Sequence, residues 1–206
     1  MKSSGLYLLA LVLAMVSTSA IAVSWRGNVT LQERLFFEDP ADPRQHGSNF
    51  SFAATPEMYH QWDDGKQSLN FIPFLRLDQG DDERTHADIR ELSWSYIARD
   101  YEWTVGISKV YWGVTEAAHL VDIINQTDLV EDFDGEEKLG QPMVNLALIR
   151  DWGTVNLFVL PGFRERTFAG VNGRPRVIPR VEKDLTSYES SQEEKHVDLA
   201  ARWSHY

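Results

Sequence analysis

The stretch Tyr101-Glu-Trp-Thr-Val-Gly-Ile-Ser108 alternates large apolar residues with small or polar ones. Its odd-numbered residues share one face of an extended chain, and its even-numbered residues share the other. This period of two is the pattern of a β-strand that has one apolar face and one polar face. The stretch therefore predicts a strand whose two sides meet different surroundings.

The same period recurs along the rest of the chain and predicts an all-β protein. Seven further strands are expected at residues 25–37, 49–59, 67–78, 88–98, 143–149, 154–163 and 196–203. In the third of these strands, Ile72 and Phe74 interrupt the polar face. Residues 143–149 and 154–163 are apolar on both faces, so we expect their inner side to pack against protein.

The predicted connections alternate strictly between short and long. Tight-turn sequences occupy 63–66, 99–100 and 151–153, whereas the other connections span 38–48, 79–87, 113–142 and 164–195. An antiparallel meander that crosses a membrane places its short turns on one side and its long loops on the other. The pattern favours a transmembrane up-and-down β-barrel.

The composition of the chain excludes several classes of partner and of chemistry. The chain has 206 residues, enough for one domain, and a net charge of −11, which disfavours nucleic acid as a partner. It contains no cysteine, which excludes disulfides, thiolate catalysis, zinc ribbons and iron–sulfur clusters.

The first 22 residues have the pattern of a secretory signal peptide. Lys2 is followed by an apolar run from Gly5 to Val16 and by the small-x-small motif Ala20-Ile21-Ala22. The apolar run is shorter than the roughly 20 residues of a membrane-spanning helix. We expect export in a bacterial envelope and a folded domain at residues 23–206.

Trp25, Trp62, Trp112 and Trp152 lie at or just beyond predicted strand ends. Aromatic rings at such positions form the interfacial girdles of membrane barrels, although they also cap the cores of soluble proteins. The placement favours a girdle.

One stretch resembles a known group. Gly106-Ile-Ser-Lys-Val-Tyr-Trp112-Gly113, followed by Val121-Asp-Ile-Ile-Asn125-Gln-Thr-Asp128-Leu129, is similar to poorly characterised porin-like barrels of the Gram-negative outer membrane. Members are generally longer, with more strands. The resemblance implies that the eight strands are part of a larger barrel, incomplete at the C-terminus, and Tyr206 is out of phase with the outward set of the last strand. A closed eight-stranded barrel is the alternative.

Residues 113–142, called here the acidic loop, carry eight acidic side chains and one basic one, Lys138. If the loop folds into a barrel lumen, its carboxylates meet inward-facing arginines and form a constriction. Asp132-Phe-Asp134-Gly135-Glu136 offers hard oxygen ligands for calcium, but without the spacing of a complete calcium-binding loop. A solvated surface loop is the third possibility.

The residues expected to line a pore come from the strands and from the acidic loop. They are Arg26, Arg34, Arg76 and Glu91 from strands, and Asp122, Asp128, Glu131, Asp132 and Asp134 from the loop. Glu116, His119 and Asp122 would share one face of a helix, which is a weak metal motif. No catalytic residue, cofactor or metal site is predicted. The 164–195 connection, called here the arginine-rich loop, is expected to be a mixed solvated loop.

The sequence predicts a passive outer-membrane channel for small solutes or cations, with selectivity set by the acidic loop. Its expected partners are outer-membrane lipid and the solutes, and an oligomer is compatible with the pattern. Three alternatives remain open: a structural or adhesive envelope barrel without a pore, an envelope hydrolase that uses carboxylates of the acidic loop, and a periplasmic β-sandwich that binds sugars or lipids.

Overall fold

A computed structural model describes residues 23–112, 121–132, 134–182 and 185–205. Among these residues, eight strands account for most of the regular structure, and single-turn 3₁₀ helices lie at Asp82–Arg84 and Glu193–Lys195. The strands are β1 (Val23–Leu35), β2 (Ser48–Trp62), β3 (Gln67–Asp78), β4 (His86–Ile97), β5 (Tyr101–Ser108), β6 (Gln141–Arg150), β7 (Gly153–Pro161) and β8 (Val197–Ser204). The predicted signal peptide, Glu116 and His119 lie outside the described residues.

Each strand pairs antiparallel with the next, in the order β1 to β8. The predicted all-β, up-and-down antiparallel sheet of eight strands is confirmed. Within the described residues the sheet is open, because β1 pairs only with β2 and β8 only with β7. The same part of the chain contains no helix that is long and apolar enough to cross a membrane.

The strand bounds keep the segregation of short and long connections. Residues 63–66, 98–100 and 151–152 form the turns at one end of the sheet, called here the short-turn end. The long connections, 36–47, 79–85, 109–140 and 162–196, leave from the opposite, long-loop end. β1 stops at Leu35, two residues earlier than predicted, and the Phe36 N–H bonds Gly47 O in the register of the β1–β2 ladder.

One face of the sheet, called here the outer face, is apolar from edge to edge. The strand register aligns Val105, Val144, Val159 and Leu199 in one row across four strands. Leu31 and Leu199 are 69% and 78% exposed, so no other part of the described chain covers this face. A sheet that leaves its apolar side uncovered needs an apolar surrounding for it.

The opposite, inner face is mostly polar over β1 to β5 and carries an apolar cluster on β6 and β7. Met143, Phe158 and Leu160 are buried there against Ile124 of the acidic loop. This contact supplies the protein partner that the two-sided apolarity of these strands requires. Trp112 also belongs to this cluster, with its ring centroid 5.5 Å from that of Phe158. The interpretation of Trp112 as an interfacial aromatic is therefore wrong.

A β-bulge changes the predicted alternation in β4. The register with β3 passes from Ile72↔Glu91 to Pro73↔Ile89, so Arg90 is an extra residue without a cross-strand partner. Proline has no N–H to donate to a ladder and is typical of such irregularities. Strict alternation places Arg90 on the outer face with Leu92. The bulge instead buries it above the Phe74 ring, 4.3 Å from the ring centroid.

Candidate functional site

The acidic loop crosses the inner face, and Asn125 joins its end to the residues that close and follow β5. The Asn125 amide donates to Ser108 O at 2.8 Å and to Leu139 O at 2.9 Å, and its carbonyl accepts from the Val110 N–H at 2.8 Å. Asn125 is buried, so these hydrogen bonds replace water for three backbone groups. One side chain thereby joins Ser108, the last residue of β5, and the nearby Val110 to the end of the acidic loop.

The strongest contact between loop and sheet is the buried ion pair of Arg76 and Glu131. Arg76 Nε donates to both Glu131 carboxylate oxygens at 2.8 Å, and Nη2 lies 2.7 Å from Oε2. Arg76 Nη1 also donates to Ser51 Oγ at 2.9 Å. Both charged residues are at most 8% exposed. Their charges compensate each other, so Glu131 fastens the loop to β3.

Two further arginines, which the sequence did not single out, extend this cluster. Arg90 Nη2 lies 2.5 Å from Asp128 Oδ2, and the Thr167 hydroxyl donates to the other Asp128 oxygen. Arg84 Nη1 lies 2.6 Å from Asp78, and its Nε donates to Val130 O at 3.1 Å. Three buried arginines of β3, β4 and the connection between them thus contact consecutive parts of the acidic loop.

The other residues predicted to line a pore come either from the strands or from the acidic loop, and those of the strands lie on the inner face. Arg26 and Glu57 form an ion pair on the inner face, and Glu91 accepts from Asn70 at 2.5 Å and from Ser108 at 3.3 Å. Arg34 reaches the backbone carbonyl of Glu131 at 3.5 Å.

The remaining loop acids lie apart from the cluster. Asp122 is buried and accepts from the Trp112 N–H at 2.5 Å. Asp132 and Asp134 are exposed, and Asp134 accepts from the Glu136 N–H at 3.0 Å. The structure therefore divides the predicted acidic set into anchoring carboxylates and exposed ones. Among the residues that the structure describes, no three His, Asp or Glu side chains converge as a metal ion requires.

Two polar cavities follow the inner face below the loop. The first, about 350 Å³, lies between the sheet and the acidic loop and is lined by residues that include Arg76, Glu131, Lys109 and Glu137. Burial lowers the pKa of Lys109, an effect that nearby Glu137 opposes. The second, about 620 Å³, continues toward the short-turn end. Glu57 and Glu91 line both cavities, so the two form one polar trough along the sheet.

The lining of the second cavity is mostly uncharged. Its residues are Ser24, Arg26, Glu57, Tyr59, Ser68, Asn70, Glu91, Ser93, Ser95 and Ser108. The two charges of Arg26 and Glu57 compensate each other, and the Glu91 carboxylate is hydrogen-bonded within the wall. This half of the trough therefore offers hydroxyl and amide groups to a solute.

The arginine-rich loop spans the long-loop end of the sheet, which the expectation of a solvated loop did not foresee. Arg174 donates to Glu38 O at 2.6 Å and lies over the Phe36 ring, and Gln45 donates to Gly173 O at 2.7 Å. The connection that leaves β7 thus reaches the connection that leaves β1. The sheet is curved, because residues from β1 to β5 line one cavity on its inner face.

Asp81 forms the middle contact of this loop. Its carboxylate accepts from the Gly170 N–H at 2.9 Å and from the Glu83 N–H at 3.2 Å. A Cβ at Gly170 or Gly173 would lie 2.4 Å from an Asp81 oxygen, so a side chain at either position would displace the Asp81 carboxylate. Burial raises the pKa of Asp81, although the backbone hydrogen bonds favour its ionised form.

Sequence patterns account for some of these residues and not for others. Arg76, Asp128 and Glu131 follow from strand phase and loop composition. Arg90 is displaced by the bulge, and Pro73 on the neighbouring strand is the only sequence signal for it. Arg84 lies in a connection between strands, where periodicity predicts no direction. Comparison of the chain with protein-family profiles, with curated proteins and with solved structures found no match.

Proposed function

We propose that the chain forms part of the wall of a transmembrane β-barrel in a bacterial outer membrane and acts there as a passive channel for small solutes or ions. The observation that carries the proposal is the opposite character of the two faces of one sheet. The outer face is apolar and uncovered, and the inner face holds a charged loop and a polar trough. In this proposal lipid covers the first face and water the second.

The arrangement of the loops supports the same function. All long connections leave from one end, where the arginine-rich loop spans the opening. The acidic loop lies inside the curved sheet and narrows the space that the strands enclose. A loop that folds inward and rests on arginines of the wall acts as a constriction with fixed charges.

Selectivity then depends on the exposed carboxylates of the acidic loop. Asp128 and Glu131 are neutralised by arginines, whereas Asp132, Asp134, Glu136 and Glu137 are exposed. Carboxylates near a narrow, partly desolvated passage attract cations and repel anions more strongly than they do in bulk water. We infer a preference for cations that weakens as salt screens the charges.

The experiment separates the exposed acids from the anchoring ones. The purified full chain is placed in planar bilayers under a salt gradient, and the reversal potential is compared for the wild type, D132N/D134N and E131Q. The exposed pair should shift the potential toward zero without loss of conductance, whereas E131Q should mainly change the size or stability of the current. Equal selectivity in all three proteins would remove the acidic loop from the selectivity mechanism.

Localisation is tested first. The protein should fractionate with outer membranes and run faster on a gel when it is not heated, because closed barrels resist unfolding by detergent. Recovery from the soluble periplasm without heat-dependent mobility would refute the barrel. Membrane localisation without any conductance would favour a structural barrel, whose interior is filled by contacts such as those of Ile124 with Phe158.

A further inference from the structure

The two edge strands carry backbone groups that need partners. Within the described residues, β1 and β8 are each paired on one side only, so each leaves a row of N–H and C=O groups open. If the outer face lies in lipid, as proposed above, water cannot satisfy these groups. Each unsatisfied group would cost several kcal/mol. Both edges must therefore pair with strands.

Pairing β1 with β8 of the same chain does not fit the contents of the inner face. An eight-stranded barrel encloses a space that side chains fill or that holds one small ligand. This inner face already carries the acidic loop as a second layer, with cavities of about 350 and 620 Å³ beneath it. A loop layer together with two cavities is more than the side chains or the single small ligand of an eight-stranded interior.

A second copy of the chain fits both edges. In a meander of eight strands β1 and β8 run in opposite directions, so β8 of one copy beside β1 of another continues the antiparallel order. It also keeps all short turns at one end. On the inner face, Arg34 of β1 and Asp198 of β8 lie at the long-loop ends of their strands with opposite charges. On the outer face, Trp25 and Trp203 lie at the short-turn ends.

We propose that two copies of this chain close one sixteen-stranded barrel, in which β1 of each copy pairs with β8 of the other. The inference rests on the proposed membrane function and deepens it, because the pore is incomplete without the second copy. A two-fold axis along the pore makes the two seams identical and leaves no edge. Barrels of 16 to 18 strands leave an aqueous channel, which here would contain an acidic loop from each copy.

The natural absence of cysteine makes the seam directly testable. Full-length single-cysteine copies are co-expressed and oxidised in membranes, one with A200C on β8 and the other with N28C, T30C or Q32C on β1. All four positions are on the inner face, and opposed residues of an antiparallel pair are close enough for a disulfide. At least one combination should give a reducible band of twice the monomer mass.

The matched control is V29C with A200C. Val29 is adjacent to Thr30 but is on the outer face, so a true strand pairing should give at least a tenfold weaker band. Three positions on β1 allow for the unknown register and for a variant that fails to fold. Equal bands for V29C and its neighbours would indicate random collision and would overturn the proposal.

The remaining outcomes are also decisive. A chain that carries T30C and A200C together and oxidises to a monomeric product would mean that one copy closes on itself. Absence of any cross-link in a membrane-inserted, conducting protein would mean that other strands complete the barrel, and only the two-copy inference would fail. A cross-linked dimer in membranes that conducts nothing would support the seam and refute the channel.

Discussion

The buried ion pair between Arg76 and Glu131 should determine how firmly the acidic loop is held. Glu131→Gln keeps the shape of the side chain but leaves the buried Arg76 guanidinium without a compensating charge. Breaking one side of a buried ion pair costs roughly 3–5 kcal/mol. Because the amide oxygen can still accept one of the hydrogen bonds, we expect about 3 kcal/mol of loop anchoring to be lost. This is roughly a 100-fold rise in the open population of the loop, at about 1.4 kcal/mol for each factor of ten.

Lys138 provides the assay. It is the one basic residue of the acidic loop and only 5% exposed, so trypsin should cleave after it only when the loop opens. The cleavage rate follows the open population when closing is faster than cleavage. E131Q should raise this rate by roughly two orders of magnitude, and R76Q should have a similar effect. The double variant should be less sensitive than the sum of the two predicts, because neither charge is then left alone.

Asp132→Asn is the matched control. It removes the same charge from the next residue, which is exposed. Its cleavage rate should stay within a few-fold of the wild type, because exposed charge pairs contribute roughly 0–1 kcal/mol. If E131Q and D132N are equally resistant to trypsin, the ion pair does not hold the loop, and the division into anchoring and exposed acids is wrong.

Three further predictions concern other parts of the molecule. Asn125→Leu removes three buried hydrogen bonds. At about 1 kcal/mol for each bond, the free energy of unfolding should fall by about 3 kcal/mol in a urea titration. A change below about 1 kcal/mol would mean that other contacts hold the end of the acidic loop. Leu31→Arg on the outer face should reduce the stability of the protein folded in a membrane by roughly 2–4 kcal/mol if the position is near the bilayer midplane. Thr30→Arg on the inner face should reduce it far less. Equal losses in a membrane refolding experiment would mean that the two faces are assigned wrongly. The Tyr188 hydroxyl donates to Glu165, and this hydrogen bond raises the pKa of Tyr188 to about 12. The hydrogen bond therefore contributes to stability below the ordinary tyrosine pKa, and this contribution is lost as the pH rises through about 12. In E165Q, ultraviolet titration should show the pKa of Tyr188 return toward its ordinary value.

Strand phase is a local property, and the sequence by itself determined most of the architecture. Tyr101–Ser108 was predicted with its observed bounds, and the number and order of the strands and the segregation of short and long connections followed from the same alternation. Successive side chains of a strand point to opposite faces, so the alternation of apolar and polar residues predicts an apolar outer face and a polar inner face. The acid excess of residues 113–142 also needed no structure.

Contacts between residues far apart in sequence were decided only by the tertiary structure. The buried position of Arg90 depends on the bulge opposite Pro73. Trp112 faces inward, where it packs against Phe158 of β7 and Ile124 of the acidic loop. The pairing of Arg76 with Glu131 joins positions 55 residues apart. Composition gives the number of charged residues but not their pairing. An ion pair depends on where the fold places both partners and on how much water the fold excludes from them. Of the five loop acids predicted to line a pore, Asp128 and Glu131 instead form ion pairs with arginines of the sheet.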